Sequence, residues 1–182
     1  MFGIKDFDTE YRAAVDYAIK HHGDQTYGDG VPYITHLVQV AMVLVRFGFH
    51  PARGSEDEQR RARNLIIAAI LHDVVEDTDV TREDVAAEFG DSIATLVYAV
   101  SNEPGKNRRE RHAKSHGKLI EIEDGIILKL ADRIANLESC HATRNKLIGM
   151  YRKEWDGFKK KLRHTTKAPD VMWDYLERLI AR

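Results

Sequence analysis

Residues 66–77 read IIAAILHDVVED: an apolar run, then His72-Asp73, two valines and the acid pair Glu76-Asp77. With Leu65 in front, seven consecutive apolar residues precede the first polar side chain. A helix that is apolar on nearly every face belongs in the centre of a protein. Charged side chains enter such a place only when paired or bound to a metal. As one continuous helix, the stretch sets His72 and Glu76 one turn apart, and Asp73 and Asp77 likewise, so both acid-bearing turns face one way. That pattern suits His72 and Asp73 as metal ligands with a second carboxylate turn beside them. The plainer reading is a helix end followed by solvated acids.

Outward from this stretch, the pattern is helical in both directions. Ser55 followed by Glu58 is a capping-box signature that opens the central helix. Upstream, one helix is expected over about 9–20, ending at His21-His22-Gly23, and another over about 35–47. The second carries Leu37, Val40, Ala41, Leu44 and Val45 at helical spacing and stops at Gly48. Between them, DQTYGDGVP is a Gly- and Asp-rich turn segment. Downstream, Thr81 with Asp84 caps a short helix that Gly90 ends, and Asp91 caps the next. Residues 103–116, EPGKNRRERHAKSH, are basic and polar, an exposed helix or a loop able to act as a lid. An apolar helix follows over about 123–138, then a long polar-amphipathic one over about 145–162, and a last one starts at Pro169 with Val171, Met172, Tyr175, Leu176 and Leu179 inward. Tyr151, Trp155 and Phe158 read as a core stripe. No segment alternates as a strand does, so the expectation is an all-α fold of roughly eight to ten helices, a single domain over 1–182.

Composition narrows the function classes. Charged residues are 31% and hydrophobic ones 43%, a globular balance, and the net charge of −1 gives no support to nucleic acid or an acidic membrane as partner. One cysteine, Cys140, excludes an internal disulfide framework and fits a reducing compartment. There is no signal pattern and no apolar run approaching 18 residues, so a cytoplasmic protein is expected. Nothing in the composition speaks against a homo-oligomer.

A metal at His72 and Asp73 needs further ligands. Asp132 interrupts a helix otherwise apolar at Ile126, Ile127, Leu128, Leu130, Ile134 and Leu137. Such a carboxylate must be paired, by a metal or by Lys129 and Arg133 in an exposed ion network. His36, at the start of a helix, would by itself read as a surface or capping histidine.

Three words of sequence carry a resemblance to a known family: HHGDQTYGDGVPYITHLVQVA at 21–41, AAILHDVVEDTDVTREDVAAEFG at 68–90, and ILKLADRIANL at 127–137. Together they resemble the HD phosphohydrolase superfamily, and within it the hydrolase domain of the RelA/SpoT alarmone enzymes and their small single-domain relatives. The resemblance covers roughly residues 11–158. It implies an all-α fold and one divalent ion, commonly manganese, held by His36, His72, Asp73 and Asp132. It implies removal of pyrophosphate from the 3′ position of guanosine tetra- or pentaphosphate. Glu76 and Asp77 match the acid pair associated with orienting and deprotonating the attacking water, and Asn136 an asparagine that contacts the sugar. Imidazole and carboxylate ligands suit manganese, with zinc, iron, cobalt and nickel also compatible.

One departure bears on the substrate. Where the family usually carries two or three basic residues just after the HxxQ-type stretch of the first word, this chain has Thr26, Tyr27 and Gly28, with Asp29 following. Tyr27 can stack on a base, but positive charge for phosphates must come from elsewhere. Arg109 with Arg108, Arg111 and Lys118 in the basic stretch, and Arg152 with Lys153, are the candidates. Another nucleotide substrate, such as a dNTP or NADPH, and a sensing module without turnover therefore stay open as alternatives.

Overall fold

A sixteen-residue helix whose C-terminal half is buried sets the layout of the N-terminal half. The computed structural model describes residues 6–28, 30–103, 106, 108–165 and 168–182; the side chains at 108, 109, 111–113 and 123 lie outside that description. The helices are α1 (Phe7–His22), α2 (Ile34–Arg46), α3 (Glu56–Leu71), α4 (Val74–Asp77), α5 (Arg82–Phe89), α6 (Asp91–Val100), α7 (Arg108–Glu121), α8 (Glu123–Thr143), α9 (Ile148–Leu162) and α10 (Asp170–Ala181). Among the described residues these are nine helices of two turns or more and one of a single turn, α4. The fold is all-α, as expected.

Chain contacts fall into two units, 1–98 and 99–182. In the first, α1 and α2 pack on α3. Every residue of α3 from Leu65 to Leu71 is buried, and each large aliphatic side chain there contributes roughly 1.5–3 kcal/mol by leaving water. The helix opens as the sequence dictates: Ser55 accepts from the Glu58 backbone N–H while the Glu58 carboxylate accepts from the Ser55 N–H. Thr81 and Asp84 form a second such box at α5.

In the second unit, α7, α9 and α10 pack on α8. The buried face of α8 is Ile126, Ile127, Leu128, Leu130, Ala131, Ile134, Ala135 and Leu137. The stripe Tyr151, Trp155 and Phe158 is buried with Trp173, ring against ring. Arg133, only 3% exposed, lies over the Phe158 ring at 4.0 Å and pairs with Glu154 at 3.1 Å, which compensates its burial.

Four local expectations are corrected. The central stretch is not one continuous helix. α3 ends at Leu71, and His72 and Asp73 (φ −97°, ψ −5°) form a turn before α4 begins at Val74. The chain re-enters a helix at once, because Glu76 and Asp77 both donate backbone N–H bonds to the Asp73 carbonyl, at 3.1 and 2.9 Å. The loop DQTYGDGVP holds a small hairpin, β1 (Thr26–Tyr27) antiparallel to β2 (Val31–Pro32), with Tyr27 opposite Val31. Two-residue strands are too short to show a period of two, so the sequence reads only as a turn. Asp91 is the first residue of α6 rather than its cap, since Ala94 donates to the Gly90 carbonyl. Val171 is more than half exposed.

Candidate metal centre

The break after α3 is what brings His72 and Asp73 to one point. The His72 ring, 1% exposed, turns back so that Nδ1 lies 2.8 Å from the Ala69 carbonyl. A carbonyl only accepts, so Nδ1 carries the proton and Nε2 of the neutral ring carries the lone pair. That nitrogen lies 3.1 Å from Asp73 Oδ2. His36 stands in the first turn of α2, 2% exposed, with Nε2 3.6 Å from the same Asp73 oxygen. Its ring meets the His72 ring edge to face, with centroids 5.2 Å apart.

The donor atoms of His36, His72 and Asp73 all lie within 4.8 Å of one another. Ligands about 2.0–2.2 Å from one ion stand roughly 3–3.5 Å from their neighbours around it. The separations of 3.1 and 3.6 Å match that spacing. Two imidazoles and a carboxylate are also the donor mix that first-row divalent ions take. The residues present therefore fit such an ion.

Tyr33 closes one side of the cluster. Its hydroxyl reaches Asp73 Oδ2 at 2.7 Å and Asp77 Oδ2 at 3.0 Å. Burial, followed by the Asp73 charge and the bond to it, raises the phenol far above its ordinary range, so it stays a donor. Asp77 faces solvent on one side, yet loss of water around it, followed by the Asp73 charge, raises its carboxyl pKa. Glu76, on α4, is exposed. Tyr27 is stacked on the His36 ring, 4.6 Å between centroids and 16° from parallel.

Three neighbours were not singled out from the sequence: Tyr33, His22 and Gln25. His22 is 4% exposed and stacked on Tyr33 at 4.6 Å, and Gln25 bridges it to the backbone carbonyl of Asp77. A signal existed for His22. Ala14, Ala18 and His22 recur every four residues, which is the buried face of α1.

The remaining sequence candidates lie in the second unit. Asp132 is 8% exposed, so its ion pairing with Lys129 is buried rather than exposed. It pairs with Lys129 Nζ at 2.9 Å, and the Asn136 side-chain amide donates to its carboxylate and to its backbone carbonyl. Asn136 is thus tied to Asp132 by its own amide. The Arg152 guanidinium donates to the Ile180 carbonyl in the last turn of α10, where helix carbonyls lack partners. Arg109 belongs to α7, but its side chain, like those of Arg108 and Arg111, lies outside the described residues. Lys118 pairs with Glu103 at 2.7 Å and donates to the Ser101 carbonyl.

A family model described as the HD domain matches residues 14–156. The chain belongs to the HD-domain family. This HD-domain protein is similar to guanosine-3′,5′-bis(diphosphate) 3′-pyrophosphohydrolase of Aquifex aeolicus, 34% identical over 141 residues, covering 75% of this chain and 18% of that protein. It is also similar to guanosine-3′,5′-bis(diphosphate) 3′-pyrophosphohydrolase MESH1 of Danio rerio, 34% identical over 127 residues, covering 68% of this chain and 64% of that one. The chain thus spans less than a fifth of the Aquifex relative's length. Among solved structures, a metazoan ortholog of SpoT described as hydrolyzing ppGpp superposes with a TM-score of 0.71 at 24% identity, covering 93% of this chain and 94% of that one. At that identity the likeness concerns the fold. No helix among the described residues is long and apolar enough to cross a membrane.

Proposed function

We propose that this HD-domain protein is a metal-dependent phosphohydrolase that removes the 3′-pyrophosphate of guanosine tetra- or pentaphosphate. His36, His72, Asp73 and Asp132 hold one divalent ion, manganese first. The observation that carries the reading is the convergence of His36, His72 and Asp73 within 4.8 Å, with the His72 tautomer fixed by the Ala69 carbonyl. The names of the similar pyrophosphohydrolases support the substrate. Burial of Asp132 on an apolar helix, with Asn136 holding its carboxylate, supports it as the fourth ligand.

When bound, a divalent ion supplies an acidified water and polarises a phosphoryl oxygen. The chain's own groups do the rest. Glu76 and Asp77, solvent-facing beside the ligand turn, orient the water and accept its proton. In this reading Tyr27, stacked on His36, would offer an aromatic wall to the base, Asn136 would contact the sugar, and Arg109 and Arg152 would supply positive charge for the phosphates. We take residues 1–182 as one HD domain, a reading supported by a family match that runs from 14 to 156. The single cysteine supports a reducing, cytoplasmic setting.

A second substrate class is favoured by one observation: Thr26-Tyr27-Gly28 puts an aromatic ring rather than cations at the edge of the cluster. That wall would also suit a dNTP or NADPH. Purified protein with Mn2+ is therefore incubated with guanosine 3′-polyphosphates, dNTPs, nucleoside monophosphates and NADPH, beside a His72→Ala control. Pyrophosphate released from the 3′ position is the expected product. Orthophosphate or triphosphate from another nucleotide selects the second class, and saturable binding without turnover selects a sensing module.

A further inference from the structure

Tyr33 is held more tightly than a residue at the mouth of a helix needs to be. Its backbone N–H donates to the Gln25 carbonyl at 3.1 Å, across the base of the hairpin, and its own carbonyl accepts from His36 N–H at 2.9 Å. Its ring lies flat on His22, 20° from parallel, and stands steeply tilted to the rings of Tyr27 and His36, at 88° and 74°. His22 is fixed in turn. Its Nδ1 lies 2.8 Å from Gln25 Oε1, and the Gln25 amide donates to the Asp77 backbone carbonyl at 2.9 Å. Hairpin, α1, α2 and α4 are thus joined around one phenol ring.

All of this aims one hydroxyl at one place. The oxygen it meets, Asp73 Oδ2, is the same atom that lies 3.1 Å from His72 Nε2 and 3.6 Å from His36 Nε2. The hydroxyl also meets Asp77 Oδ2. Two carboxylate oxygens within about 3 Å of one phenol repel each other unless a donor stands between them. A hydroxyl has a single hydrogen, so it serves one acid at a time and ties the two together. A tyrosine required only for packing would need neither contact, since a phenylalanine fills the same stack.

Resting on the metal-centre reading above, we propose that Tyr33 is a positioning residue. Its hydroxyl fixes the ligand oxygen of Asp73 and couples the metal centre to Asp77, and His22 and Gln25 lock its ring in place. Partners that orient a metal ligand typically change affinity or activity about 10–100-fold when removed.

The test is Tyr33→Phe, which keeps the stack and deletes the hydroxyl, read first by Mn2+ titration in electron paramagnetic resonance and then by kinetics on the hydrolysed nucleotide. We expect Mn2+ affinity to weaken about tenfold or more and kcat to fall about 10–100-fold, with KM nearly unchanged. Wild-type Mn2+ affinity and wild-type kcat in the variant would overturn the proposal. The metal readout needs no substrate. A wild-type protein that binds Mn2+ but hydrolyses none of the nucleotides therefore removes the proposed function and still leaves Tyr33 to be judged. Should Tyr33→Phe fail to fold, 3-fluorotyrosine at position 33 keeps the hydroxyl. Its 19F resonance should shift on adding Zn2+, and an unmoved resonance at saturating Zn2+ overturns the proposal.

Discussion

A carboxylate that only handles protons can be removed without disturbing the groups that hold the ion. Glu76 is exposed on α4, outside the cluster of His36, His72 and Asp73. Glu76→Ala should therefore leave Mn2+ affinity near the wild-type value while turnover falls about 10²–10⁴-fold. Retention of full rate would take Glu76 out of the mechanism. A second residue-scale prediction concerns His116. Its pKa is pushed down to about 4, first by burial and then by the positive charges of Lys161 and Arg133, against 6.5 for an ordinary imidazole. Between those values the unfolded chain binds the extra proton, so stability rises with pH across that window and falls as acid is added. Urea midpoints measured from pH 7 to pH 4 should show this fall, and His116→Gln should flatten it; an unaltered slope would contradict the assignment.

At the scale of elements, what the sequence made legible was local chemistry. Ser55 with Glu58 and Thr81 with Asp84 announce helix starts by hydrogen bonds that need only four residues, and both boxes form. Ser55→Ala should cost about 1 kcal/mol in equilibrium unfolding, and no measurable cost would mean the box is only decoration. Arg144 closes α8 in left-handed geometry at φ 55°, a conformation that glycine adopts without strain. Arg144→Gly should raise stability by about 0.5–1 kcal/mol, and a loss would show that the side chain holds something at that corner. What was hidden depends on partners distant in sequence. The hairpin is too short for a pattern, and the turn at His72-Asp73 is made by a ring folding back on Ala69, which no periodicity reveals. Tyr33 carries no local signal for a similar reason, since its acids lie 40 and 44 residues away.

For the whole molecule, helix class and core were readable because long apolar faces, such as those of α3 and α8, bury what they display. The proposed ligand set was readable only as four side chains in three separated words. Three of them, His36, His72 and Asp73, come together in the first unit, and Asp132 is buried in the second. The central claim is that the chain holds a single divalent ion on these side chains. Mn2+ titration by electron paramagnetic resonance, with wild-type protein beside His72→Ala and Asp132→Asn, tests it most directly. One ion per chain is expected, with affinity reduced at least about tenfold in each variant. Wild-type protein that takes up no Mn2+, or a His72→Ala variant that binds it as tightly as the wild type, would contradict it.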